Sequence, residues 1–295
     1  MQQPISGVNA AIITPMNAQG EVDYEQLKVQ VDRQKKCGNN IFCGGTNGEF
    51  FALTTEERIK VAQTCYEQAA GTINVTAHIG AVSLAETLKL GHAMEKLGLK
   101  AVSVITPWFA KLRDQDLISY FTQVADTINL PIYLYNIPAR TGNTITPEVA
   151  HKLADHPNIF GIKDSAGSYD SLHAFHLVSQ QHDNFGVLTG PDSLILKGFQ
   201  EGSCGCISGI ANIIPELVQK VYHHFNDQQT DQAEAVQAQV TALRTNLYGM
   251  AFAPAVVKES VKVLGYAVGN SRYPVIFNDA ERAQMRQILT EAQVL

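Results

Sequence analysis

The chain has 295 residues, which suits one α/β barrel of about 250 residues with an extension better than one ordinary domain. Hydrophobic residues make up 45% and charged residues 17%, enough apolar material for a large core. The net charge of -6 argues against nucleic acid or an anionic membrane as partner, and no stretch approaches the roughly 18 apolar residues of a membrane span.

Residues 1–5 carry neither the basic region nor the apolar run of a signal peptide. Residues 8–14 are apolar and stop at Pro15, which predicts a first strand. Asp23 caps a helix to about residue 37, with Gln26 reaching back and Gly38 closing it. Residues 40–43 form a short strand that runs into Gly44-Gly45-Thr46-Asn47-Gly48-Glu49. Thr54 and Glu57 make a capping box for a helix to about residue 70, and a strand follows at 73–79. Ser83 and Glu86 make a further capping box for a helix that ends near Gly98; strand 101–105 then leads into Thr106-Pro107-Trp108-Phe109. Residues 114–127 are helical, and strand 131–135 leads into Asn136-Ile137-Pro138-Ala139-Arg140-Thr141-Gly142. Thr146 caps a helix with Pro147 at its first position, where the missing N–H costs nothing. A short strand ends in Lys163, and a helix starts near Tyr169. Strand 184–189 stops at Gly190-Pro191-Asp192, a helix spans 193–201, the last strand is 205–208, and Pro215 starts another helix.

Eight strands, each followed by a helix, predict a parallel sheet closed into a (β/α)8 TIM barrel over residues 1–226. Residues 227–295 are expected to form a C-terminal helical region packed on that barrel. Ala233, Val236, Val240, Leu243 and Leu247 fall at alternating three and four spacing, an amphipathic stripe suited to packing. Five cysteines, Cys37, Cys43, Cys65, Cys204 and Cys206, include no Cys-x-x-Cys pair. Their odd number indicates reduced thiols in a cytoplasmic protein, with neither a disulfide framework nor a zinc site.

Lys163 poses the main chemical question. An apolar strand that ends in an ammonium either has reached solvent there or holds a partly desolvated amine able to attack a carbonyl and form a Schiff base. In a barrel of this kind the active site lies at the C-terminal ends of the strands. That rule selects Thr46, Asn47, Trp108, Phe109, Tyr135, Arg140, Lys163, Gly190, Asp192 and Ser208. Gly44 to Gly48 can offer backbone N–H groups to a carboxylate, or be an ordinary glycine turn. It is no P-loop, because no Gly-Lys-Ser/Thr follows. Tyr135 can move a proton during imine formation, or fill the core. Arg140 can clamp a carboxylate, or be a surface charge. His78 is read as packing.

Three motifs carry a resemblance: Gly44-Gly45-Thr46-Asn47-Gly48-Glu49, Tyr135 to Gly142, and Gly161-Ile162-Lys163-Asp164. With Tyr135 placed 28 residues before Lys163, the chain resembles the family of dihydrodipicolinate synthase and N-acetylneuraminate lyase, the pyruvate-dependent class I aldolases. The resemblance runs from about residue 5 to the end. It implies a barrel enzyme, usually a homotetramer, in which Lys163 forms an imine with pyruvate or another 2-oxo acid. It implies Tyr135 as the acid/base phenol, a carboxylate site at Gly45, Thr46 and Asn47, and Ile207 and Gly190 beside the substrate. No metal or dissociable cofactor is implied, because the imine is the electron sink.

Departures from the family pattern bear on the substrate. Asn47 stands where the synthase and the lyase both have threonine. Phe109 matches the synthase tyrosine that reaches a neighbouring subunit's site and completes a proton relay. Arg140 matches the synthase arginine that receives the aldehyde's carboxylate. Residues 77–80 and 102–107 look lyase-like, and Thr55 and Arg58 match the synthase's lysine-inhibition site poorly. The expected function is a Schiff-base lyase of the synthase type. A 2-keto-3-deoxy sugar acid aldolase or dehydratase, an N-acetylneuraminate lyase, and a non-catalytic 2-oxo-acid-binding homologue are the alternatives.

Overall fold

Eight short apolar runs become eight strands in the computed structural model, which describes residues 3–295. Met1 and Gln2, the start of the segment read as lacking a signal peptide, lie outside the described residues. The strands are β1 (Gly7–Ala11), β2 (Asn40–Cys43), β3 (Val75–His78), β4 (Val102–Ile105), β5 (Ile132–Asn136), β6 (Ile159–Asp164), β7 (Gly186–Thr189) and β8 (Gly205–Ser208). They close in that order into a barrel, the architecture predicted from the alternation of elements.

The helices between them are α1 (Tyr24–Lys36), α2 (Thr55–Ala69), α3 (Leu84–Leu97), α4 (Asp114–Thr127), α5 (Pro138–Thr141), α6 (Pro147–Ala154), α7 (Tyr169–Ser179) and α8 (Ile195–Glu201). After β8 come α9 (Pro215–Asn226), α10 (Thr230–Tyr248), α11 (Ala253–Val263) and α12 (Asp279–Glu291). The N-cap residues read from the sequence do their work, but of Asp23, Thr54 and Ser83 only Thr54 forms a full capping box. Asp23, Ser83 and Thr146 each accept a backbone N–H of the first turn, and Thr54 with Glu57 completes a capping box. No described helix is long and apolar enough to cross a membrane.

Two differences from the sequence reading matter for function. β6 does not end at Lys163 but continues through Asp164, so the lysine sits inside the strand. The turn after β5 is itself one short helical turn, α5, with Pro138 at its start and Gly142 in the left-handed region at its end.

The chain divides into two compact units. The first runs up to Gly7 and resumes from Thr76 to Ile207. Its centre is the pairing of β5 with β6, which shifts register between Ile132 and Tyr133, so that Tyr133 faces Gly161 and Tyr135 faces Lys163. Gly161 is required there. A Cβ would lie 2.1 Å from the Gly186 carbonyl oxygen and 2.9 Å from Tyr133 Cε1. Bulges of this kind re-aim side chains near active sites.

The second unit holds Val8–Val75 and Ser208–Leu295. Its α10 packs on α9 and buries Ala233, Val240, Leu243 and Leu247, while Val236 is half-buried. Asn212 ties β1 to the segment after β8, accepting from Ile13 N at 3.0 Å and donating to Ala11 O at 2.9 Å.

Replacing Gly161 by alanine drives a methyl into backbone, which cannot yield as a flexible side chain does. We expect a loss of about 3 kcal/mol or more in denaturant unfolding, against about 1–2 for Gly71→Ala, where φ is +72° but nothing lies within 4 Å. Equal losses would show that the β6–β7 approach is not the constraint.

Candidate active site

In the first unit, the register between β5 and β6 sets Tyr135 beside Lys163. Residues opposite one another in adjacent strands project to the same face of a sheet. Lys163 Nζ accordingly lies 3.9 Å from the centroid of the Tyr135 ring. Lys163 is 4% exposed and Tyr135 2%, so the alternative in which the lysine has reached solvent is wrong. The ammonium is held against the face of a phenol, an arrangement favoured by the ring quadrupole and strengthened by burial.

The partners behind this pair were not singled out in the sequence. His78, read as packing, stacks edge-to-face on Tyr135 with ring centroids 5.8 Å apart, and its Nδ1 is 3.0 Å from the Ser103 carbonyl oxygen. One residue on from the pair, Asn136 Nδ2 donates to Asp164 Oδ1 at 2.8 Å. Asn136 Oδ1 accepts from Ile145 N at 3.0 Å, and the Asp164 carboxylate also accepts from Ala166 N at 3.2 Å. Alternation puts Asn136 and Asp164 on the opposite face of the sheet from Tyr135 and Lys163. This buried clamp therefore fixes the strand positions that set the amine against the phenol. Desolvation raises the Asp164 pKa, while the bonds from Asn136, Ala166 and Ser171 oppose the rise.

Gly190, at the end of β7, donates its N–H to the Asp164 carbonyl oxygen at 2.8 Å. A Cβ there would meet Ser165 Oγ at 2.0 Å, so no other residue fits without movement. Ile207 is buried in β8. Arg140 lies exposed in α5. Phe109 is 97% exposed with φ +81°, the left-handed region, which is rare for an aromatic residue. Asn143 secures the loop that carries it, donating to Pro107 O and Ala110 O at 2.8 Å each and accepting from Leu112 N at 2.8 Å.

In the second unit, the glycine-rich turn after β2 is closed by its own backbone, with Glu49 N donating to Thr46 O at 3.1 Å and Phe50 N to Gly45 O at 3.4 Å. Gly45 is needed because a Cβ would lie 2.6 Å from the Phe42 ring. Thr14 Oγ1 donates to Gly48 O at 2.8 Å. Thr46 and Asn47 are half-buried.

Glu49 closes the turn in the left-handed region, φ 55°, and is fully buried. Its Oε2 accepts from Ser271 Oγ, Arg272 N and Tyr273 N at 2.6, 2.8 and 3.2 Å, and its Oε1 pairs with buried Lys258. Burial lowers the Lys258 pKa, and the Glu49 carboxylate works against that. Arg272 adds a bidentate pair to Glu57 at 2.6 and 2.7 Å. Only the final residue of the glycine-rich motif hinted at this anchor; its partners lie over 200 positions away.

A closed parallel barrel with a buried lysine against a phenol is an arrangement that suits imine chemistry. The profile of the dihydrodipicolinate synthetase family matches residues 4–292. The chain belongs to that family, and is a class I aldolase-type lyase. The 4-hydroxy-tetrahydrodipicolinate synthase of Archaeoglobus fulgidus is 31% identical over 290 residues, 98% of this chain and 99% of its own. That of Bacillus velezensis is 29% identical over 289 residues, 97% and 99% of the two chains. Among solved structures, a chloride-inhibited dihydrodipicolinate synthase from Acinetobacter baumannii complexed with pyruvate superposes with TM-score 0.93 at 30% identity, over 99% of this chain and 100% of that one. YagE, a prophage protein of the same family from E. coli K12 in complex with pyruvate, gives TM-score 0.94 at 28% identity, over 99% of each chain.

Removing the clamp has a predictable cost. Asp164→Ala strands buried Asn136 Nδ2, and we expect about 1–3 kcal/mol lost in denaturant unfolding. Asp164→Asn keeps an acceptor and should lose less. Because the folded-state pKa of Asp164 is raised, wild type gains stability relative to Asp164→Asn as pH falls through that value, and holds the full gain below the unfolded aspartate pKa. A difference independent of pH across the acid range would contradict the raised Asp164 pKa.

Proposed function

We propose that this enzyme joins pyruvate to an aldehyde that bears a carboxylate, as a 4-hydroxy-tetrahydrodipicolinate synthase does. The observation that carries the reading is the buried contact of Lys163 Nζ with the Tyr135 ring. Relatives of that name and two pyruvate-bound family structures support it.

In this reading, Lys163 Nζ attacks C2 of pyruvate and water leaves, forming an imine. The protonated imine nitrogen draws electrons as a proton leaves C3, giving an enamine. The enamine carbon attacks the aldehyde, and hydrolysis or cyclisation releases Lys163. Tyr135 moves the proton to and from the former carbonyl oxygen. Gly45, Thr46 and Asn47 hold the carboxylate of pyruvate, with Ile207 and Gly190 beside it. Arg140 receives the carboxylate of the aldehyde, from its exposed place on the one-turn helix α5. The imine serves as the electron sink without a metal or a dissociable cofactor.

Phe109 has no hydroxyl, so no proton relay runs through it, and another group or water serves the aldehyde step. Its exposed ring, held in the left-handed region, suits burial against a second subunit in a homotetramer. A second reading is an aldolase or dehydratase of 2-keto-3-deoxy sugar acids using the same imine.

Initial rates with pyruvate and aspartate semialdehyde, set against sugar-acid cleavage, separate the two readings. We expect Tyr135→Phe to lower kcat by about 100-fold or more and Lys163→Ala to abolish turnover. Arg140→Ala should lower kcat/KM for the aldehyde by about tenfold or more, leaving the pyruvate KM nearly unchanged. An unchanged aldehyde kcat/KM in Arg140→Ala would rule out the carboxylate clamp.

A further inference from the structure

Above the Gly209 Cα in the second unit, two polar side chains meet. Asn47 Nδ2 lies 2.6 Å, and the Tyr248 hydroxyl oxygen 2.8 Å, from the position that a Cβ on Gly209 would take. They come from distant parts of the chain: Asn47 from the turn after β2, Tyr248 from the last residue of α10. Only glycine leaves room for both. Gly209 has φ -78°, so its backbone does not need a glycine, and the missing side chain is the point.

Each polar atom is within hydrogen-bond range of the same point, so the two stand no more than two hydrogen-bond lengths apart. A ligand oxygen cannot occupy that point itself, a bond length from the Gly209 Cα, but one seated above it can reach both. Tyr248 is half-buried, and the Arg244 guanidinium lies over its ring, 5.1 Å from the centroid. Arg244 Nε is buried with no hydrogen-bond partner among the described residues. A cation against the ring makes the phenol a better hydrogen-bond donor and gives the spot a positive potential. Two donors and an adjacent guanidinium match an anionic oxygen better than a hydroxyl.

We propose that Tyr248 is a further binding residue for the 2-oxo acid, its O–H donating to the carboxylate that Asn47 holds. This rests on the assignment of Asn47 to that carboxylate under the function proposed above. Gly209 is the position that keeps the pair open.

Borohydride trapping over a range of pyruvate concentrations, read by intact-protein mass, gives the half-saturating concentration for imine formation without the aldehyde step. We expect Tyr248→Phe, which removes one oxygen, to raise that concentration by about tenfold or more while the saturating yield is kept. Gly209→Ala fills the meeting point and should shift it in the same direction. Wild-type half-saturation in Tyr248→Phe overturns the proposal, whatever the variant does to the aldehyde step. A wild-type chain that traps no pyruvate at all overturns the proposed function as well, and so separates the two failures.

Discussion

The geometry of Lys163 depends on how β6 lies between its neighbours. The register with β5 shifts once, next to Tyr133, and Gly161 lets β6 approach β7 more closely than any side chain would allow. From that point on, Tyr135 is opposite Lys163 and Asn136 is opposite Asp164. A one-residue slip would exchange the faces, sending the amine outward and the carboxylate inward. The sheet therefore sorts chemistry by alternation: amine and phenol on one face, carboxylate and amide on the other. The outer pair is a structural clamp, joined by the bond from Asn136 Nδ2 to Asp164 Oδ1 on the face away from the amine.

A second buried charge performs a comparable task in the other unit. Burying a carboxylate is costly unless it is paired and hydrogen-bonded. Glu49 meets both conditions, through Lys258 and through three donors from residues 271–273. Breaking that set would leave an uncompensated charge, so the turn that carries Thr46 and Asn47 is held to the C-terminal segment. The tail after the last strand thus fixes a loop as well as covering apolar surface.

Much of this was legible in the sequence because it is governed locally. Capping residues such as Thr54 and Thr146 act within one helical turn, and short apolar runs bounded by turns gave the strands to within a few residues. Lys163 and Tyr135 were singled out because strand ends in a parallel barrel carry its chemistry. What escaped detection depends on pairs far apart in the chain. The clamp joins Asn136 to Asp164, Glu49 finds partners beyond residue 270, and Tyr248 meets Asn47 over Gly209. No periodicity or spacing encodes such meetings. The continuation of β6 past Lys163 was missed for a related reason: charged residues at a strand end look like solvent exposure until their partners are known.

The central claim is that strand register makes Lys163 the imine-forming residue. Incubation with pyruvate, reduction with borohydride and peptide mass spectrometry test it directly. The account predicts a reduced pyruvate adduct on the peptide bearing Lys163, and none on that peptide in Lys163→Ala. A folded protein that carries no adduct at Lys163 in excess pyruvate, or carries it on another lysine, would contradict the account.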